Sequence, residues 1–154
     1  MNLRKWQKEA LPIWKKQKRG VVKVITGAGK TYFAIKCIQD VLKQPNGPKK
    51  VLILVPTVNL LDQWTSDIQN NLKVKVDRLG GGFNTKFTNN ICIATYSSFK
   101  KLSKIIERDK LFLICDECHK AGTEKNRDNL KKGWGATLGL SACLLYTSPS
   151  PRDS

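Results

Sequence analysis

Short runs of apolar, mainly β-branched residues alternate along this chain with stretches that have helical periodicity. Such unbroken runs are typical of strands that are buried on both faces of a sheet. The predicted strands span residues 21–25, 51–55, 74–79, 91–95, 111–115 and 136–140, and the predicted helices span 30–42, 59–72 and 96–106. This order predicts βαβ units, and therefore an α/β domain with a mostly parallel sheet and helices on both faces.

One more helix is predicted ahead of the first strand, because apolar residues recur at helical spacing between Leu3 and Trp14. Pro12 is expected to bend or end this helix, since proline lacks a backbone donor and clashes with the preceding turn. Loops are predicted at residues 44–48 and 80–82, which are rich in Pro, Asn and Gly. No repeat or linker divides the chain, so we expect a single domain.

The composition, with 40% apolar and 26% charged residues, is ordinary for a globular domain. The longest apolar run, Val51 to Pro56, is far shorter than the ~20 residues of a membrane-spanning helix. The basic N-terminus lacks the apolar stretch of a secretory signal. We therefore expect no membrane association and a cytoplasmic location, or a nuclear one in a eukaryote. The five cysteines are expected to be reduced thiols.

The formal net charge of +16 is concentrated in residues 1–50, which carry 13 Lys and Arg against Glu9 and Asp40. An excess of this size favours a polyanionic partner, most simply nucleic acid. A lysine-rich surface without such a partner would give the same composition, and charge alone does not separate the two interpretations.

A glycine-rich turn joins the first predicted strand to the helix that follows it. Its residues are Thr26, Gly27, Ala28, Gly29, Lys30 and Thr31. Glycines let backbone N–H groups approach phosphate oxygens at a helix N-terminus. Lys30 would reach the β- and γ-phosphates of ATP, and the Thr31 hydroxyl would bind Mg2+. The full P-loop pattern has a further glycine where this chain has Val24, and a strand-to-helix turn without a ligand is the alternative.

A pair of carboxylates, Asp116 and Glu117, directly follows the strand predicted at residues 111–115. In a P-loop ATPase the first carboxylate holds Mg2+, and the second orients and deprotonates the attacking water. The strand carries both residues to the carboxyl edge of the sheet, where α/β proteins bind ligands. We therefore predict Lys30, Asp116 and Glu117 as catalytic residues, with ATP and Mg2+ as cofactors.

The stretch from Cys115 to His119 also matches C-x-x-C-H, the pattern of c-type haem attachment. Haem attachment needs export and an exposed loop, whereas Cys115 closes a predicted buried strand and His119 is the only histidine. We expect neither haem nor zinc here, and interpret Cys115 and Cys118 as small packing residues.

These motifs and the strand order between them resemble the N-terminal RecA-like ATP-binding domain of superfamily 2 DEAD/DEAH-like helicases and translocases. The resemblance covers residues 3–142 and is strongest to the group of type III restriction enzymes and repair translocases. It implies a RecA-like P-loop NTPase fold and a motor that couples ATP hydrolysis to movement on DNA, with RNA as the alternative. The family's adenine-reading glutamine places Gln7 among the cofactor-binding residues, and the family tolerates Val24 in motif I.

The resemblance also implies contact and coupling residues. The candidates for contact with the nucleic-acid backbone are Pro56, Thr57, Gly81, Thr95 and Tyr96, and those for coupling to motif III are His119, Ser141 and Ala142. Contacts of this kind use N–H groups and small hydroxyls, and would be independent of base sequence. Ordinary loop ends and turn glycines would look the same.

After Ala142 the chain departs from the family pattern. Residues 143–154 match the translation of a transposase-based sequencing adapter, so we expect them to be read-through, with a real tail as the alternative. Residues 1–142 are then an incomplete RecA-like domain. In this superfamily ATP lies between two RecA-like domains, and the second supplies arginines that stabilise transition-state charge. With that second domain missing, the fragment is expected to be hydrolytically inactive.

Two other functions stay open. The parent protein could be the motor subunit of a restriction system, which a nuclease or methylase domain would reveal. The chain could instead be a nucleic-acid-binding module that does not hydrolyse ATP. The presence of Lys30, Thr31, Asp116 and Glu117 argues against this second alternative for the parent protein.

Overall fold

Seven strands form one sheet in the computed structural model, which describes residues 5–18, 21–24, 29–84, 89–99, 106–117 and 133–142. The strands are β1 (Val21–Val24), β2 (Lys50–Val55), β3 (Val76–Gly80), β4 (Phe83–Asn84), β5 (Ile91–Thr95), β6 (Leu111–Cys115) and β7 (Ala136–Ala142). The described α-helices are α1 (Lys5–Gln17), α2 (Lys30–Lys43) and α3 (Val58–Leu72), and short 3-10 turns lie at Tyr96–Ser98 and Arg108–Lys110. Within these ranges, none of the helices has the length and apolar character needed to cross a membrane.

The strand order is β1-β7-β6-β2-β5-β3-β4, and each neighbouring pair is parallel except the antiparallel β3–β4 pair. The prediction of an α/β domain with a mostly parallel sheet is therefore confirmed. Because parallel strands share one direction, the carboxyl ends of β1, β2, β5 and β6 lie at the same edge of the sheet. β7 comes last in the described chain but lies between β1 and β6.

The sheet is covered on both faces. Residues of β2 that alternate along the strand, such as Ile53, pack with buried side chains from α1, α2 and α3. On the opposite face, Leu52 and Leu54 pack with Phe99 and Trp134. All apolar residues of β2 are fully buried, and burial of each large aliphatic side chain contributes about 1.5–3 kcal/mol. The central strand therefore belongs to both apolar layers.

α1 does not end at Pro12 but continues to Gln17, which corrects that part of the prediction. A proline inside a helix costs about 3 kcal/mol, and tertiary contacts on the same helix offset this cost. Trp14 is buried, its ring centroid lies 5.1 Å from that of Phe112, and its Nε1 donates to the Thr137 carbonyl at 2.9 Å. Packing on the sheet therefore overrides the local preference of proline.

Several element boundaries differ from those predicted, and β3 for example begins at Val76 rather than at residue 74. Gly81 and Gly82 form the turn of the β3–β4 hairpin, and the short strand β4 was not predicted. The helix predicted at residues 96–106 begins as a 3-10 turn, and Ile106 lies outside any helix, while residues 100–105 lie outside the described residues. β7 extends beyond residue 140 to Ala142.

Candidate functional site

α2 begins where the glycine-rich turn ends. Gly29 is its N-cap residue, with φ 83° and ψ −4°, in the left-handed region that glycine adopts most readily. Lys30, the first residue of α2, is buried, and Thr31 beside it is partly buried. Thr26, Gly27 and Ala28 lie outside the described residues, so their role in binding phosphate stays a prediction.

Gln7 of α1 lies against the end of this turn. Its side-chain Nε2 donates to the Gly29 carbonyl at 2.6 Å, and the residue is only 1% exposed. This hydrogen bond ties α1 to the N-terminus of α2. Gln7 therefore lies beside the predicted phosphate-binding turn, and its contact with adenine stays a prediction.

The three residues predicted as catalytic lie together. The Nζ atom of Lys30 is 2.8 Å from Asp116 Oδ1 and 2.6 Å from Glu117 Oε1. The Asp116 backbone N–H donates to the Leu54 carbonyl at 2.8 Å, so the β6–β2 ladder continues one residue past β6 and fixes this position. The Asp116 side chain is fully buried, and those of Lys30 and Glu117 are 9% and 14% exposed.

Charge balance in this cluster holds Lys30 in its protonated form. Burial by itself lowers the pKa of the Lys30 ammonium, because a charged group loses solvation. The hydrogen bonds and negative charges of Asp116 and Glu117 outweigh burial and raise this pKa above its ordinary value. Lys30 is therefore a cation throughout the neutral pH range, as a phosphate-binding lysine must be.

Glu117 has an unusual backbone conformation. Its φ of 52° lies in the left-handed region, which costs a residue with a side chain roughly 1–2 kcal/mol. The Glu117 backbone N–H donates to Asp116 Oδ1 at 2.9 Å, and the Glu117 side chain reaches Lys30. The turn that follows β6 therefore carries strain at the point where both carboxylates meet the lysine.

Asp116 has two aromatic partners, Trp64 and Tyr96, that the sequence did not assign to the nucleotide site. Trp64 of α3 donates from Nε1 to Asp116 Oδ2 at 2.8 Å, and Tyr96 donates from its hydroxyl to the Asp116 carbonyl at 2.8 Å. The available signal for Trp64 was its helical spacing with Leu61 and Ile68. That spacing predicts burial, and a buried indole N–H usually has an acceptor.

The coupling candidates are described only in part. Ser141 and Ala142 end β7, where their backbones pair with Lys23 and Val24 of β1. They lie at the carboxyl edge, between the strand that precedes the glycine-rich turn and the strand that precedes Asp116. His119 lies outside the described residues, and the coupling role of all three stays a prediction.

The loops predicted to contact nucleic acid form one continuous part of the carboxyl edge. A Cβ atom added at Gly80 would lie 2.5 Å from the Thr95 hydroxyl, and one added at Gly81 would lie 2.7 Å from Val58 Cγ1. The β3–β4 turn therefore packs directly against the start of α3 and against the end of β5. We call this surface, formed by residues 56–58, 80–82 and 95–97, the loop surface.

The threonine hydroxyls of the loop surface make hydrogen bonds within the domain and differ in how exposed they are. Thr57 is exposed, and its hydroxyl accepts the Leu60 backbone N–H at 3.2 Å as the N-cap of α3. Thr95 is only 5% exposed, and its hydroxyl lies 3.1 and 3.0 Å from those of Ser97 and Ser98. Ser97, which the sequence analysis did not single out, is exposed.

Pro56, Gly81 and Tyr96 complete the predicted contact residues. Pro56 and Tyr96 are partly exposed, and Gly81 is exposed with φ 58°. The Tyr96 hydroxyl is directed into the domain, toward the carbonyl of Asp116. Contact of these residues with a nucleic-acid backbone stays a prediction.

The side chains near Lys30 suit Mg2+ by their chemistry. Asp116 supplies a buried carboxylate, and Thr31 supplies a hydroxyl at the start of α2. Mg2+ prefers such oxygen ligands, and it commonly combines one or two carboxylates with phosphate oxygens and water. Asp116 and Thr31 therefore fit the predicted metal role.

The sequence is similar to a described protein family and to a curated translocase. Residues 1–144 match the family described as Type III restriction enzyme, res subunit. The DNA 3'-5' translocase XPB2 of Sulfurisphaera tokodaii is 34% identical over 124 residues, which cover 80% of this chain and 26% of the relative. The chain thus spans much less than the full length of this relative.

Solved structures of a helicase domain and of a restriction-modification enzyme share the fold. The Hef helicase domain of Pyrococcus furiosus matches 98% of this chain and 34% of its own, with a TM-score of 0.74 and 22% identity. A nuclease-deletion mutant of the Type ISP restriction-modification enzyme LlaGI, in complex with a DNA substrate mimic, matches 93% of this chain and 18% of its own. Its TM-score is 0.67, also at 22% identity. These likenesses confirm the predicted RecA-like fold.

Proposed function

The chain belongs to the family of type III restriction enzyme res subunits, and on this premise we propose that it is the ATP-binding part of a DNA-dependent motor. The motor couples ATP hydrolysis to movement along DNA, as a helicase or a translocase. The observation that carries the proposal is the buried cluster of Lys30, Asp116 and Glu117, which joins two distant motifs at the carboxyl edge of the sheet.

Each side chain of this cluster has a separate role in the proposal. Lys30 stabilises negative charge on the phosphate oxygens, and Glu117 orients the attacking water and accepts its proton. Asp116 and Thr31 hold Mg2+, which, when bound, neutralises charge on the phosphates. Gln7, whose Nε2 donates to the Gly29 carbonyl, would contact adenine beside the phosphate-binding turn.

The loop surface is the proposed contact with the DNA backbone. Its exposed residues include Thr57, Gly81 and Ser97, which offer small side chains and accessible backbone groups. Such groups suit contact with phosphates and sugars rather than with base edges. The net charge of +16 supports a polyanionic partner. XPB2 is described as a DNA translocase, which favours DNA over RNA.

Binding and turnover are separate parts of the proposal. XPB2 is far longer than the stretch matched by this chain, and the family resemblance implies a second RecA-like domain with charge-stabilising arginines. The 154-residue chain alone is therefore expected to bind ATP and to hydrolyse it at a negligible rate. Robust, multiple-turnover hydrolysis by this chain would overturn that expectation.

Equilibrium binding of a fluorescent ATP analogue, with Mg2+ or with EDTA, tests the nucleotide site. The wild-type chain is expected to bind the analogue saturably, and more tightly with Mg2+. Glu117→Gln is expected to keep this binding, because an amide oxygen can still accept the hydrogen bond from Lys30. An absence of saturable binding by the wild-type chain would refute the proposed nucleotide site.

Fluorescence anisotropy with labelled single-stranded DNA, duplex DNA and RNA tests the loop surface. Binding is expected to be strongest for DNA and to weaken as salt rises, because phosphate contacts release counterions. Replacing Ser97 by Asp is expected to weaken binding through charge repulsion. Tighter binding of RNA than of DNA would reassign the substrate, and unchanged affinity in Ser97→Asp would exclude the loop surface as the contact.

A second candidate function has a specific observation in its favour. The matched family is described as a restriction enzyme subunit, so the parent protein could be the motor of a restriction system. ATP-dependent cleavage of DNA by the intact parent protein would establish this function. Movement on DNA without cleavage would leave the first proposal in place.

A further inference from the structure

The carboxylate of Asp116 is held at both of its oxygens. Oδ1 lies 2.8 Å from Lys30 Nζ and accepts the Glu117 backbone N–H at 2.9 Å, while Oδ2 accepts the Trp64 indole N–H at 2.8 Å. Asp116 is fully buried. We propose that Trp64 is a positioning residue, which fixes the orientation of the Asp116 carboxylate for Mg2+ binding. This inference rests on the proposed nucleotide site.

Trp64 is suited to this role because its own position is fixed. It is 1% exposed and belongs to the apolar cluster between the helices and the sheet, together with Leu61 and Ile68 of α3. An indole ring has only two side-chain torsions, so a packed ring directs its single N–H in one direction. The packing of the core therefore fixes the direction in which the Trp64 N–H points toward Asp116 Oδ2, and this donor is buried from solvent.

The Trp64 bond differs in kind from the other contacts of the carboxylate. Lys30 belongs to the phosphate-binding motif, and the Glu117 amide belongs to the same turn as Asp116. Trp64 comes from α3, a separate element that begins at Val58 in the loop surface and has Thr57 as its N-cap. It is a neutral donor, so it orients Asp116 without adding a positive charge that would oppose a metal ion.

Tyr96 supports the same residue from another side. Its hydroxyl donates to the Asp116 carbonyl at 2.8 Å, and it follows directly on β5. The Tyr96 bond fixes the backbone of Asp116, whereas the Trp64 bond fixes its carboxylate. Tyr96 therefore acts with Trp64 as a second positioning residue.

Trp64→Phe keeps an aromatic ring and removes the donor, and Trp14→Phe is the matched control. Trp14 is also buried, and its Nε1 donates to the Thr137 carbonyl, away from Asp116. Both variants lose one buried indole hydrogen bond, so both are expected to lower the thermal midpoint of unfolding. A shift in Mg2+ dependence is expected from the change at Trp64 alone.

The measurement is the Mg2+ concentration that gives half-maximal binding of a fluorescent ADP analogue to the 154-residue chain. Trp64→Phe is expected to raise this concentration about tenfold, as is usual when a partner of a metal ligand is removed. It is expected to leave the affinity in EDTA unchanged. Tyr96→Phe is expected to shift the Mg2+ dependence in the same direction by a smaller factor.

The outcomes separate the inference from the proposed function. If the wild-type chain shows no Mg2+-dependent binding, the proposed function is wrong and this inference is wrong with it. If the wild type binds but Trp64→Phe has the same Mg2+ dependence as Trp14→Phe, the positioning role alone is overturned. An equal loss of affinity in Mg2+ and EDTA also overturns it, since that result shows a merely structural role. Should Trp64→Phe fail to fold, an unshifted Mg2+ dependence in Tyr96→Phe would overturn the positioning of Asp116.

Discussion

The ammonium of Lys30 lies 2.6 Å from Oε1 of Glu117, although the two residues are 87 positions apart in the chain. Asp116 is the second carboxylate partner of the same ammonium. One positive charge therefore faces two negative charges in a mostly buried cluster. Such a cluster depends on all of its members, because removal of one leaves the others desolvated and unpaired.

Lys30→Met is expected to destabilise the domain by about 3–5 kcal/mol, the usual cost of leaving a buried charge without its partner. Lys43→Met is the matched control, because Lys43 is an exposed residue at the end of the same helix. Urea unfolding at neutral pH measures both changes. Equal losses of unfolding free energy in the two variants would show that the cluster contributes no stability.

Gly80→Ala and Gly82→Ala separate steric crowding from backbone strain. Both glycines have positive φ, 116° and 90°, but only Gly80 faces a neighbour, with Thr95 Oγ1 at 2.5 Å from an added Cβ. A Cβ atom added at Gly82 would have no atom of the described residues within 4 Å. Gly80→Ala should therefore lose about 1–3 kcal/mol more unfolding free energy than Gly82→Ala, because overpacking adds to the strain. Thermal or urea unfolding decides this, and a larger loss in Gly82→Ala would contradict it.

Thr57→Ala is expected to lower the unfolding free energy by about 0.5–2 kcal/mol, the range for loss of an N-cap. Its hydroxyl accepts the Leu60 N–H at the start of α3. Thr57→Ser keeps this acceptor, so it should stay close to the wild type in urea unfolding. Equal destabilisation by Ser and Ala would show that the Thr57 methyl group, rather than the cap, is responsible.

Alkaline pH is expected to weaken the fold through Cys92. Burial is the main cause that raises the pKa of the Cys92 thiol from 9.0 to about 12, and the nearby charge of Asp77 is a smaller one. Between these values the unfolded chain has lost the thiol proton and the folded chain keeps it. Because the folded-state pKa is raised, the protonated Cys92 thiol contributes its full share of the free energy of unfolding below pH 9. That share is lost as pH rises toward 12, by at most about 1.4 kcal/mol per pH unit.

Cys92→Ala tests this pH dependence. The variant removes one thiol and leaves every other titratable side chain of the protein in place. Urea unfolding between pH 8 and 10 should therefore show a smaller decline of the unfolding free energy in the variant than in the wild type. Parallel curves for the two proteins would contradict the assignment to Cys92.

Local patterns were sufficient to predict most of the fold and to bring Lys30 together with Asp116 at one edge of the sheet. The runs at β2, β5 and β6 are apolar throughout, and their burial on both faces follows from that pattern. The meeting of Lys30 with Asp116 follows from topology, because the residues after parallel strands emerge at one edge. Neither conclusion needed knowledge of particular side-chain contacts.

Features that depend on packing between distant elements could not be predicted in the same way. The helix continues through Pro12 because the tertiary contacts of Trp14 outweigh the tendency of proline to end a helix. The Trp64–Asp116 hydrogen bond depends on how α3 packs over the sheet, which helical spacing does not specify. β4 is two residues long, too short to show a strand period.

The placement of β7 sets the order in which this domain can be completed during synthesis. Among the described strands, β1 pairs with β7 alone, through Val21–Val24 and Gly139–Ala142. The hydrogen bond from Trp14 of α1 to the Thr137 carbonyl likewise cannot form until β7 has been made. A ribosome delivers β1 early and β7 late, so β1 has no strand neighbour while the rest of the sheet is being made. The glycine-rich turn that is predicted to bind phosphate follows β1 in the chain. Nascent chains in which residue 142 has not yet left the exit tunnel are therefore expected not to bind nucleotide.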